Sequence, residues 1–242
     1  MRRGGTRLPA GRRRSTAASR AAWVAVALAC ASGPHGAGEH AAKLPSGAAL
    51  ERDLANGTVR FVKGENLCKE LDGDPGFKAS RTAGDSEGVA RAFLVHYRDL
   101  WRLDDPNAEL VKRRIDVERS GASHVRFAQT WRGFDVHGAE LVVHLDRQRH
   151  VVLVTGSYVP TPRTVDTRPS IDAAQAREAA AKAAGGAPCT ACTAELVVFA
   201  ERHEDPRLAW RVGPPAGQTR GEEILVDAGD GDVLRRLPIS RP

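Results

Sequence analysis

The sequence predicts an α+β fold: two small modules, each a helix packed on an antiparallel sheet meander, joined by a Pro-rich linker. Three observations predict it. Apolar residues recur at helical spacing after Asp85, and an alanine-rich helical stretch follows Ser170. Each helical stretch is followed by runs in which apolar and polar residues alternate. Residues 159–170, Val-Pro-Thr-Pro-Arg-Thr-Val-Asp-Thr-Arg-Pro-Ser, separate the two series.

The elements follow in order. Residues 1–31 have the make-up of a signal peptide: seven arginines and no acid, then the apolar run Ala21–Ala31. Ala27-Leu28-Ala29 is a small-x-small cleavage site, and the next residue, Cys30, is a possible lipidation site. Ala27, three before Cys30, stands where a lipobox has leucine, so a plain secretory signal is preferred. A secreted or periplasmic protein is expected, with a lipid anchor through Cys30 as the alternative. Removing the seven leader arginines from the net charge of +6 leaves −1. The body therefore lacks the basic excess of a nucleic-acid binder. No later run reaches 18 consecutive apolar residues, so no transmembrane segment is expected in the mature chain.

Residues 32–79 read as a Gly/Ala/Pro-rich arm and irregular segment, with 33–60 a poorly ordered tether. A first module spans 80–159. Its helix starts at Asp85, with Val89, Phe93, Tyr97 and Leu100/Trp101 on one face, and stops before Asp104-Asp105-Pro106. Strands follow over 124–131, 140–145 and 151–154, with a fourth at Ile115–Val117. After the linker, taken as 160–169, a second module spans 170–236. Ser170 caps its helix, Ile171–Ala184, and Gly185-Gly186 ends it. Strands follow at Glu195–Ala200, Leu208–Val212 and Ile224–Val226, with a turn at Gly229-Asp230-Gly231 before Val233-Leu234. Residues 237–242 form a C-terminal tail.

No complete catalytic constellation is found in the sequence. His203-Glu204 runs into Asp205-Pro206, which cannot continue the helix that HExxH zinc chemistry requires. His137, Glu140 and His144 lie close together, but a solvated sheet face explains them better than a metal site. Gly156-Ser157 lacks the second glycine of a nucleophile elbow. Asp227 and Asp230-Gly231-Asp232 fit a hairpin turn better than a calcium loop. No cofactor and no metal are expected. Cys189 and Cys192, in a CxxC, are a possible disulfide, leaving Cys68 over. Gln129 shares a strand face with Val125, Phe127 and Trp131. It must find partners there, either in a structural hydrogen bond, which is preferred, or as a contact to a bound partner.

The run His124–Asp146, His-Val-Arg-Phe-Ala-Gln-Thr-Trp-Arg-Gly-Phe-Asp-Val-His-Gly-Ala-Glu-Leu-Val-Val-His-Leu-Asp, resembles the FTP domain, the fungalysin/thermolysin propeptide. Arg126, Gln129, Gly133, Val136, Gly138 and His144 match its signature, as does the helix 92–103 upstream. The second half resembles the PepSY domain through its helix, Leu208-Ala-Trp210-Arg-Val212, and the segment Ile224–Leu234 with Asp227. The resemblance covers about residues 80–236. Three positions depart from the pattern: Trp131 replaces a tyrosine, Asp135 a proline and Arg149 a glycine.

The resemblance implies a prosegment of the thermolysin-like (M4) metallopeptidase family without its catalytic domain, hence no enzyme. Its expected partner is a thermolysin-like zinc protease, bound as inhibitor and/or folding chaperone. The tail from Arg236, with Ile239, would lie nearest the protease cleft as an extended plug. A severed piece of a metallopeptidase precursor, or an envelope binding module that kept the fold, are the alternatives.

Overall fold

In this computed structural model, residues 43–53, 58–187, 189–200, 205–218 and 220–240 are described. The expected leader, Cys30 and residues 32–42 lie outside the described residues.

Two strands come first, β1 (Ala49–Arg52) and β2 (Val59–Lys63). They correct the reading of 33–60 as a tether. β1 is exposed throughout, but β2 pairs with a strand far along the chain and buries Val59 and Val62. A 3-10 turn at Lys69–Leu71 leads into α1 (Pro75–Ala83), a helix that begins inside the stretch 32–79 expected to be irregular. Its start is locally encoded: Asp74 accepts from the Phe77 amide at 2.7 Å, and Pro75 opens the first turn. Asp85 caps α2 (Ser86–His96) through the Gly88 amide at 2.9 Å.

The face anticipated for this helix is the buried one: Val89, Phe93, Tyr97 and Trp101 are at most 1% exposed. The helix itself breaks at Tyr97 and resumes as α3 (Arg98–Trp101), with no glycine or proline to mark the break. A short α4 (Pro106–Glu109) follows.

Four strands then form an antiparallel meander: β3 (Leu110–Val117), β4 (Ser123–Trp131), β5 (Phe134–Leu145) and β6 (Val151–Ser157). β2 adds to β6, and β1 to β2. β4 alternates strictly between buried and half-buried residues, the signature of a strand with one face on a core. Val125, Phe127, Leu141, Val143, Leu145 and Val154 meet the α2 face in one cluster. Each large side chain buried there contributes about 1.5–3 kcal/mol.

The second series is helix α5 (Ala173–Ala184) and strands β7 (Cys192–Phe199), β8 (Arg207–Pro215), β9 (Arg220–Asp227) and β10 (Val233–Ser240). Asp172, not Ser170, caps α5, in a capping box with Gln175. Ser170 instead donates its amide to Ala228 O at 2.7 Å. β10 corrects the reading of a free tail, because residues 236–240 pair with β9 from Ile224 to Arg220. The Pro-rich stretch has no regular structure but is fastened at both ends. The Thr161 amide reaches Arg102 O at 3.0 Å, and Val165 is buried.

All ten strands form one sheet, because β5 is shared. Its C-terminal half pairs with β6, while Asp135 and Val136 pair in parallel with Val197 and Val198 of β7.

Candidate functional site

The sheet forks on β5. Near the β4–β5 turn, Trp131 faces Phe134 and Thr130 faces Asp135; beyond that, Ala128 faces Glu140. One residue on β4, Gln129, therefore stands against four on β5, Val136 to Ala139. This long bulge turns the strand from one set of neighbours to the other. It also shifts the register: counting from the turn would place Leu141 against His124, whereas His144 is found there.

Most of the signature residues build this feature. Arg132 and Gly133 form the two-residue turn with φ of 48° and 88°, the left-handed pair that matches strand twist. Gly138 carries the bulge at φ 69°. Val136 packs with Trp131, Val165, Val198, Leu208 and Ala228, a small core at the fork itself. Gln129 is 1% exposed and acts as a substitute strand partner. Its Oε1 accepts from the Val159 amide at 2.9 Å, and its Nε2 donates to Val159 O at 2.6 Å. The reading of Gln129 as a partner contact is corrected, since its amide is buried and both ends are used inside the chain. Arg126 donates to Glu140 Oε1 at 2.7 Å across β4 and β5.

The three residues weighed as a metal cluster are separated. His137 Nε2 lies 2.7 Å from Glu223 Oε1 on β9, Glu140 bonds Arg126, and His144 faces His124. Among the described residues, no group of three or more His, Cys, Asp or Glu is arranged to hold a metal ion. His144 instead belongs to a row crossing the outer sheet face. Glu118 Oε1 lies 2.7 Å from His124 Nε2, His124 Nδ1 lies 2.7 Å from His144 Nδ1, and His144 Nε2 lies 3.4 Å from Thr155 Oγ1. Burial, then the charges of His124 and Arg126, push the His144 imidazole below its ordinary value. The hydrogen bond from His124, then that from Ser120, holds the Glu118 carboxyl low. Sequence reading missed His124 because only the bulge brings it to His144.

The remaining sites are structural. Cys189 and Cys192 are joined as a disulfide, with Cα atoms 5.3 Å apart. Cys68 is buried with a free thiol that burial makes harder to ionise. Trp210 Nε1 donates to Ile171 O at 3.0 Å, tying α5's entry to β8. Asp227 shapes the β9–β10 turn by accepting from the Gly229 amide at 2.7 Å. Arg236 donates to Glu222 Oε2 at 2.7 Å and to Ala183 O at 2.8 Å, while Ile239 faces Gly221. Neither is the start of a free extended plug. The departures fit their places: Arg149 holds φ 62°, a glycine-favouring conformation, and the Asp135 carboxylate accepts both bonds from Arg113 at 3.1 Å.

Residues 108–158 match the family model Fungalysin/Thermolysin Propeptide Motif. The match runs from α4 through β6 and includes the bulge and the histidine pair. No curated protein matches the chain. Among solved structures, the C-terminal domain of YpeB from Bacillus megaterium is similar at 13% identity. The similarity covers 80% of this chain and 77% of that one, with a TM-score of 0.39. The Clostridium difficile 630 protein CD1622 is similar at 12% identity over 63% of this chain and 91% of that one, with a TM-score of 0.23.

Proposed function

We propose that this chain is a non-catalytic, propeptide-like protein that is exported and binds a thermolysin-like zinc metalloprotease, as inhibitor, folding chaperone or both. The observation that carries the reading is the coincidence of the propeptide match at 108–158 with the forked meander. Its signature residues do construction work there: a turn, a bulge, a buried amide clamp and cross-strand links. A binding scaffold requires a rigid, preformed surface of this kind, and stabilises a folding partner simply by binding its native state. The second series, α5 with β7–β10, is assigned to a PepSY-like module in the same reading, with the linker at 160–169 and the modules at 80–159 and 170–236.

The test is to titrate the purified full chain into thermolysin during casein digestion. A parallel assay follows refolding yield of a denatured thermolysin-like catalytic domain. The expected result is a saturable fall in proteolysis, a rise in refolding yield, or both. Unchanged activity and unchanged yield at excess protein would refute the reading and favour a severed prosegment or an envelope module.

A further inference from the structure

The row Glu118–His124–His144–Thr155 constrains its own protons. A carboxylate only accepts, so His124 Nε2 carries hydrogen toward Glu118. The two Nδ1 atoms lie 2.7 Å apart, so one proton must sit between them. That spacing is shorter than the roughly 3.3 Å two nitrogens take on one tetrahedral zinc with bonds of about 2.05 Å, so it fits a proton rather than a shared ion. With two ring protons, Thr155 donates to His144, His144 to His124, and His124 to Glu118. With three, His124 donates from both nitrogens and His144 Nε2 turns its proton to Thr155. A fourth proton sets N–H against N–H and two imidazolium charges against each other.

We propose that His124 and His144 share one proton and together carry at most one positive charge while β4 and β5 stay paired here, and that a second charge opens this sheet face. The pair is thus an acid-sensitive latch within the segment matched to the propeptide motif.

The surroundings agree. From β3 and the turn after it, Asp116 faces His124 across the ladder and Glu118 binds its Nε2. From β4, Arg126 adds positive charge near His144 and is itself held by Glu140 of β5. From β6, His144 meets Leu153 and Thr155, neither of which offers a countercharge. The acids therefore serve mainly the first charge, on the His124 side; Glu118 also favours charge on His144, but more weakly than burial, His124 and Arg126 oppose it. The direction of the pH effect follows. His144 is held below its usual 6.5, so the unfolded chain binds more protons than the folded one as pH falls through that value. Stability is full above about 6.5 and declines below it.

The inference needs no protease, so its test is independent of the proposed function. Ring-labelled NMR of the full chain should give two coupled steps, the second displaced below the ordinary imidazole range. In His124→Gln the His144 step should move up, while staying low because burial remains. In urea unfolding, lowering the pH from about 7.5 to about 5.5 should reduce the wild-type midpoint, and His144→Gln should remove part of that fall. Should a variant fail to fold, the wild-type titration decides alone. Two independent steps at the ordinary value, or a His144 step unmoved by His124→Gln, would overturn the proposal.

Discussion

The two halves of the sheet are held in different ways. The half carried by β1–β6 has a deep core of large side chains, with Phe77, Phe93, Tyr97, Trp101 and Phe127 all 2% exposed or less. The half carried by β7–β10 rests on α5 through Ala176 and Ala180, against Val212, Ile224 and Val226. An apolar groove of about 360 Å³ stays open beside α5, lined by Ala180, Ala184, Val212 and Ile224. Alanine contacts bury little area per residue, so beyond a small cluster of Val197, Phe199, Ala209 and Leu225 this half leans on fastenings: the disulfide, the Arg236 link to α5, and the fork. The difference teaches that one sheet can combine a self-sufficient scaffold with a lightly held extension.

The sharpest way to break this contrast is in the deep core. Phe93 is fully buried and tilted against Tyr97 at 4.8 Å between centroids. Phe93→Ala should cost about 3–5 kcal/mol in urea unfolding; a loss under about 1 kcal/mol would mean that this core is not what holds the first half. At the fork, Gln129→Leu should leave the Val159 amide and carbonyl without partners, at about 1–3 kcal/mol for each group that stays buried. Its expected signature is faster hydrogen exchange at Val159, and unchanged exchange there would contradict the clamp.

In the lighter half, the Cys189–Cys192 bridge closes a very short loop, so the chain-entropy estimate is only about 2 kcal/mol. Reduction should loosen α5 and β7 while leaving β4–β6 amides as they were. The smallest effect is expected from Gly138→Ala. Nothing lies within 4 Å of the added Cβ, so the cost is that of placing alanine at φ 69°, about 1 kcal/mol. A much larger loss would mean that the bulge tolerates no adjustment.

Local patterning revealed what local patterning controls. The α2 face and the alternation of β4 could be read directly, because burial imposes periods of 3.6 and 2 on the sequence. β2 escaped because its partner, β6, lies about ninety residues away, as in the pairing of Phe61 with Thr155, and β1 because it pairs with β2 and is exposed throughout, so burial imposes no period on it. β10 escaped because an edge strand tolerates Pro238 and exposed arginines, which read as tail. The fork escaped because a bulge of this length has no sequence mark beyond Gly138. The histidine pair was hidden with it: simple hairpin counting gives His124 the wrong neighbour. Gln129 stood out as a polar residue in an apolar stripe, and the preferred reading of it as a structural hydrogen bond matches the clamp on Val159.

The most direct test of protease binding is amide hydrogen exchange on the full chain, with and without a catalytically inactive thermolysin-like domain. The expected result is slow exchange in β4–β6 in both samples and new protection on addition of the partner, greatest in α5 and β7–β10, where the core is thin. Identical exchange profiles in the two samples would contradict binding.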